Sequence, residues 1–116
     1  MPIAVATTRQ TLSNAYVAIG GYVAVATSDP GITSTPANEA TGGTPAYARM
    51  LTTWTPGTGG VSTGSAVTID LAPGTYTYVF LATAATGATM FDKAAITSVD
   101  YSVQGQLVVT PVFTQT

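Results

Sequence analysis

The chain has 116 residues, enough for one domain and too few for two independent cores. Only 7% of the residues are charged, against about 25% in ordinary globular domains, and 3 Lys+Arg against 5 Asp+Glu leave a net charge of −2. With no His and no Cys, zinc sites, thiol nucleophiles and histidine acid–base chemistry are excluded, and nothing basic enough for nucleic acid or an anionic membrane remains.

Met1–Gln10 lacks a basic stretch followed by an apolar run, so no signal peptide is expected there. Residues 9–19 set Leu12, Ala15, Tyr16 and Ile19 on one face at helical spacing. Thr7 or Thr8 could cap the start, and Gly20 stands where a C′ glycine ends a helix. A short N-terminal helix is predicted, although Tyr16, Val17 and Ile19 also suit a pair of strands. The apolar stretch Ala15–Ala26 is cut by Gly20-Gly21 and is shorter than the ~20 residues that a membrane-spanning helix needs.

From Tyr22 the pattern becomes β. Tyr22–Thr27 reads as a buried strand, and Ser28–Thr44 as a long loop opened by Asp29-Pro30-Gly31, punctuated by Pro36 and closed by Gly42-Gly43. A loop of that length inside a small domain is usually functional. Tyr47–Thr55 is expected to be one strand, with Tyr47, Arg49, Leu51 and Thr53 on one side, followed by a turn at Pro56–Gly60. Val61–Leu71 alternates as a second continuous strand with Val67, Ile69 and Leu71 together. Ala72-Pro73-Gly74 is expected to close a hairpin over residues 70–78. It leads into Thr75–Thr83, with Tyr76, Tyr78 and Phe80 facing one way. A second loop is placed at Ala84–Lys93, and Ala95–Val103 with Leu107–Phe113 form a closing pair about Gln104-Gly105-Gln106. The expectation is a single all-β domain over residues 1–116, a compact sandwich or barrel of about six to eight short antiparallel strands with one short helix over about 9–19.

Hydrophobic residues make up 46% of the chain, so the charge deficit does not mean disorder. Threonine, with 23 copies, takes over the surface instead, which suits the outer faces of strands. A surface so weakly charged favours packing against other chains.

No constellation points to catalysis. Asp29, Glu39, Asp70, Asp92 and Asp100 are scattered at turns and strand ends, without the converging pair that general acid–base work requires. Asp29, Asn38 and Glu39 could share a calcium ion, but they lack EF-hand spacing, and Asp-Pro-Gly is simplest as a turn in which Asp bonds its own backbone. Gly57–Gly60 lacks the Lys and the following helix of a phosphate loop. Glu39 and Arg49 bracket the Gly42-Gly43 turn and could pair to hold the loop. Trp54 is read as a loop-packing anchor, and Tyr76, Tyr78 and Phe80 as core or inter-subunit packing. No catalytic, cofactor-binding or metal-ligating residue and no small-molecule substrate are expected.

The run Thr27-Ser28-Asp29-Pro30-Gly31, then Ala37–Gly43, Tyr47-Ala48-Arg49 and Thr53-Trp54, resembles a family of small virion structural proteins of tailed bacteriophages, notably those of actinobacteria. Ala66–Ile69 and Ala72–Thr75 extend the resemblance, which covers roughly residues 9–87. The chain departs from the pattern in the extra residues Ile32–Pro36 and in lacking a Trp-Asp after Thr83. The resemblance implies a non-enzymatic virion protein, usually labelled tail-fibre-like, minor capsid or decoration. The short single domain, without a fibre shaft, favours a capsid decoration protein that binds the major capsid protein and copies of itself, with a trimer suiting threefold capsid positions. It would be made in the host cytoplasm and end on the capsid surface; a tail component that contacts the host is the alternative. A secreted carbohydrate-binding module is a third reading. The expected contact residues are Asp29, Pro30, Ile32, Asn38, Glu39, Arg49 and Trp54.

Overall fold

The computed structural model describes residues 1–116. A helix, α1 (Ala6–Val17), precedes β1 (Tyr22–Ala26), β2 (Met50–Leu51), β3 (Trp54–Pro56), β4 (Val61–Gly64) and β5 (Val67–Leu71). Four further strands follow, β6 (Gly74–Ala82), β7 (Met90–Tyr101), β8 (Gly105–Val109) and β9 (Val112–Thr114). The protein is therefore mostly β with a short N-terminal helix, as its composition and alternation predict. All strand pairs are antiparallel, in three sheets ordered β2-β1-β6-β7, β5-β8 and β3-β4-β9.

The two-stranded sheet lies over one face of the four-stranded sheet. Val23, Val25 and Tyr76 meet Val67, Ile69 and Leu71 across that interface, and all are buried. The other face of the large sheet presents Ala24, Ala26, Phe80, Ala82 and Met90. The third sheet extends the molecule to 47 × 25 × 24 Å and is covered by α1.

Three strand passages switch between the sandwich and the helix-covered end. The expected strand Tyr47–Thr55 is instead a loop to Arg49, then β2 in the large sheet and β3 in the small one. The expected strand Val61–Leu71 breaks at Ser65-Ala66, leaving β4 in one sheet and β5 in another. Hydrogen bonding holds both breaks together: Thr52 Oγ1 donates to the Ser65 carbonyl at 2.7 Å and the Thr53 N–H to Ser65 Oγ at 2.9 Å. Thr110-Pro111 makes the third passage, where the Gly64 N–H donates to the Pro111 carbonyl at 2.7 Å. Alternation alone cannot locate such corners, because the strands on either side continue the same period.

Neither expected hairpin forms. β5 and β6 follow one another across Ala72-Pro73, but β5 pairs with β8 while β6 pairs with β1 and β7. The chain crosses here from one layer of the sandwich to the other, and the Tyr76 hydroxyl staples the crossing by donating to the Ala72 carbonyl at 2.6 Å. β7 and β8 likewise belong to opposite layers. Tyr101 lies against Gly105 and donates from its hydroxyl to the Gln106 carbonyl at 2.8 Å. The second loop ends at Thr89, because Met90–Lys93 already pair with β6. A register shift between Tyr76 and Tyr78 also divides the expected aromatic face: Tyr76 joins the inter-sheet core, whereas Tyr78 and Phe80 pack on the opposite side.

α1 starts earlier and ends earlier than its periodicity predicts. Val5 is the N-cap, with no side-chain cap, so neither Thr7 nor Thr8 serves. Of the expected apolar face only Tyr16 is half-buried; Leu12, Ala15 and Ile19 are exposed. The helix buries Ser13 instead, whose hydroxyl meets that of Ser62 on β4 at 2.7 Å. Gly20 is no left-handed cap. A Cβ there would lie 2.8 Å from Thr83 Cα, so the glycine serves the close passage of the chain beside β6.

Candidate functional site

The segment 27–49 leaves β1, crosses the outer face of the large sheet and returns as β2. Its turns are set locally. Asp29 Oδ1 accepts the Gly31 N–H at 2.9 Å, the Asx turn expected of Asp-Pro-Gly. Asn38 adopts φ 60°, a conformation Asn tolerates, and its side-chain amide donates to the Asp29 carbonyl at 3.1 Å. That geometry brings Glu39 beside Ala26 as a single antiparallel bridge. The outer edge of β1 is thereby covered twice, by β2 at Tyr22-Val23 and by residues 38–40 at Val25–Thr27. Pro30 is fully buried beneath the loop.

Arg49 closes the segment. It is 6% exposed and its guanidinium stands 5.5 Å from the Phe80 ring centre. Its Nε and Nη2 donate to the two Glu39 carboxylate oxygens at 2.8 and 2.9 Å, the bidentate pairing that arginine geometry suits. The remaining N–H groups reach the Ala84 carbonyl and Thr89 Oγ1, both at 3.1 Å, and the Gly87 carbonyl at 2.9 Å. The Tyr47 hydroxyl adds a bond to Glu39 Oε2 at 2.8 Å and accepts the Val25 N–H at 3.2 Å. One guanidinium thus ties the 27–49 segment to the 83–89 loop and to the sheet between them.

Partial burial raises the Glu39 carboxyl, but the hydrogen bonds from Arg49 and Tyr47 outweigh it and hold the group below the ordinary carboxylate range. The bond to Glu39 pushes Arg49 up. Burial, reinforced by Glu39, raises the Tyr47 hydroxyl. A carboxylate engaged by three donors and an arginine engaged by five acceptors form a clamp, with no free base or nucleophile between them.

At the other end of the loop, Lys93 Nζ meets Asp29 Oδ1 at 2.5 Å and stands 5.8 Å from the Tyr78 ring centre. The bond from Lys93, with the Gly31 N–H, lowers the Asp29 carboxyl. Between these anchors Gly31–Ser34 and Met90–Lys93 border a shallow hollow of about 300 Å³. Ile32 projects from its rim, 92% exposed.

Of the expected contact residues, the fold therefore gathers Asp29, Pro30, Ile32, Asn38, Glu39 and Arg49 on one side of the large sheet. Asp29, Ile32 and Asn38 face solvent; Pro30 and Arg49 are buried and offer no side chain to a partner, because their packing is spent inside the loop. Glu39 is half-buried and committed to Arg49, as the bracketing of Gly42-Gly43 suggests. Trp54 lies apart on β3, half-buried, and its indole Nε1 donates to the Gly20 carbonyl at 3.0 Å as a packing anchor. Sequence reasoning missed Lys93, Tyr47 as a ligand of Glu39, and the accepting carbonyls of Ala84 and Gly87. Carbonyl acceptors carry no residue signature, and Lys93 offered only its rarity as one of 3 basic residues.

No helix is long and apolar enough to cross a membrane, and no group of three or more Asp and Glu side chains converges on a metal site. Comparisons with protein-family models, with curated proteins and with solved structures find no match to this chain.

Proposed function

We propose that the chain is a non-enzymatic virion structural protein of a tailed bacteriophage, acting as a decoration protein that binds and stabilises the assembled head. The observation that carries the reading is the clamped loop. Asp29, Asn38, Glu39, Tyr47 and Arg49, all within the resemblance to the phage family, prove to be the residues that fold and fasten segment 27–49. That segment then carries Ile32 out into solvent, next to uncharged Thr33, Ser34 and Thr35.

An apolar tip whose nearest charges, Asp29 and Lys93, already pair with each other suits docking against a neighbouring protein, because few unpaired charges are desolvated. Binding only the assembled shell would stabilise it by mass action, with no bond made or broken. Self-association into a closed ring would match the symmetry of capsid vertices or threefold positions.

Quantitative mass spectrometry of purified virions against the major capsid protein tests the reading. A ratio of one, or a simple fraction such as a third, is expected. A trace stoichiometry confined to the tail would replace the decoration role with host contact, and absence from the particle would overturn both.

A further inference from the structure

A second apolar feature lies on the far side of the large sheet from the clamped loop. β7 pairs only with β6, and β8 only with β5, so each keeps one unpaired edge. Between β7 at Asp92–Ile96 and the segment Val109–Phe113 runs a groove of about 280 Å³. Its walls include Ile96, Val109, Pro111 and Phe113, and it reaches the buried Val23 and the half-buried Leu81. Tyr16 of α1 closes one side, stacked on Phe113 with ring centres 3.6 Å apart and hydrogen-bonded to Asp92. The large sheet has four strands here and the covering sheet only two, so the sandwich is open where another strand would lie.

The chain carries a segment of matching character. Met1-Pro2-Ile3-Ala4-Val5 is uncharged, belongs to no helix or strand, and exposes Met1 fully and Val5 at 57%. Val5 is already extended, at φ −87° and ψ 116°. Five extended residues span about 16 Å, the same reach as the five residues that form each wall of the groove. Ile3 and Val5 alternate on one side, and Pro2 falls at the start of the strand, where a missing N–H is tolerated. The groove and the segment share the near absence of charge: Asp92 is already held by Tyr16 and Lys93 by Asp29.

In its own chain the segment is kept at the opposite end of α1, where Arg9 donates to the carbonyls of Ile3 and Gly59 at 2.5 and 2.8 Å. About 15 Å of helix separate that end from Tyr16. We infer that the groove receives the Met1–Val5 segment of a second copy, which adds as a strand at the open side of the sandwich and seats Ile3 and Val5 on its apolar floor. Donor segment and groove are different surfaces, so the contact is head-to-tail, and rotation can close it into a ring. The inference deepens the self-association part of the proposed function without depending on where the protein acts.

The chain has no cysteine, which makes cross-linking specific. Val5→Cys and Ala94→Cys both change exposed residues, and both would face the groove. Oxidation of a mixture of the two single variants should give a covalent dimer that neither variant forms alone. In parallel, Val5→Asp should weaken self-association in sedimentation velocity by tenfold or more, since it would place a carboxylate in the groove. The same change puts a favoured N-cap on α1, so loss of association would not reflect loss of fold. A covalent dimer of Ala94→Cys alone would overturn the inference in favour of β7 edge pairing. Absence of the mixed dimer, or a wild-type chain that stays monomeric at high concentration, would also overturn it. A monomer that is nonetheless found in stoichiometric amounts in virions would sink this inference alone and leave the decoration reading standing.

Discussion

The sandwich and the helix-covered end are built from the same weakly charged, threonine-rich chain and are held together in opposite ways. In the sandwich, Val23, Val25, Ile69, Leu71 and Phe80 are each no more than 1% exposed, and the interior is aliphatic and aromatic. At the other end, α1 turns Leu12 and Ala15 to solvent and buries Ser13 against Ser62, with Arg9 and Gln10 bonded to the backbone at Gly59 and Gly60. One region is stabilised by removing apolar surface from water and the other mainly by matched hydrogen bonds, aided by Tyr16 stacked on Phe113. The difference predicts unequal costs for comparable substitutions.

Phe80→Ala should be the most damaging change, at about 3–5 kcal/mol, since it empties the space between the sheet and the clamped loop. Ile69→Ala should follow at about 2–5 kcal/mol. Chemical denaturation of both variants checks the sizes; losses below about 1 kcal/mol would mean that the sandwich does not dominate stability.

The clamp comes next. Arg49→Met leaves the half-buried Glu39 carboxylate without its partner and should cost about 3 kcal/mol, with the loss of hydrogen-exchange protection concentrated in residues 27–49 and 83–89. Acid should act on the same contact. Because the folded state lowers the Glu39 carboxyl, the clamp contributes fully above the unfolded value of about 4.5 and weakens as pH falls through the lower folded value. The two loops should therefore lose protection in acid before β5 and β6 do, an order that pH-dependent exchange can read. Simultaneous opening of the loops and the sandwich would show that the clamp is not a separate unit.

Ser13→Ala should cost about 1–3 kcal/mol, because it strands the buried Ser62 hydroxyl. Ser13→Ala with Ser62→Ala should cost less than twice as much, since removing both partners leaves no orphan group, and a double-mutant cycle measures the coupling. Leu12→Lys should lie within about 0.5 kcal/mol of the parent chain, as that residue is 41% exposed. A large loss there would restore the apolar face that the periodicity of α1 suggested and that the fold does not use.

How much of the molecule was legible from its residues follows the same division. The Asp29-Pro30-Gly31 turn and the Glu39–Arg49 pair lie close along the chain, so their roles could be read from residue type and spacing, whereas Asn38 was read as a contact residue and serves instead as a left-handed turn. α1 was placed within three residues, yet its buried face was misassigned, because Leu12 and Ile19 predict burial only if an apolar surface awaits them. Sheet β3-β4-β9 offers Ser62 instead. Tyr76, Tyr78 and Phe80 share a period of two, but a register shift against β7 sends Tyr76 to the other core.

Sequence by itself determined the class of the protein: mostly β, short of charge, free of histidine and cysteine chemistry, with a long loop fastened by its own polar residues. Those properties rest on composition, backbone preference and contacts between positions close along the chain. Tertiary structure alone decided the pairing. Ala72-Pro73-Gly74 reads equally as a hairpin turn and as a crossing between layers, because in both the chain reverses with the same local conformation. The choice is made by where Val67, Ile69 and Leu71 can bury themselves. They reach Val23 and Val25 only when β5 lies opposite the large sheet, paired with β8, which arrives more than thirty residues later in the chain.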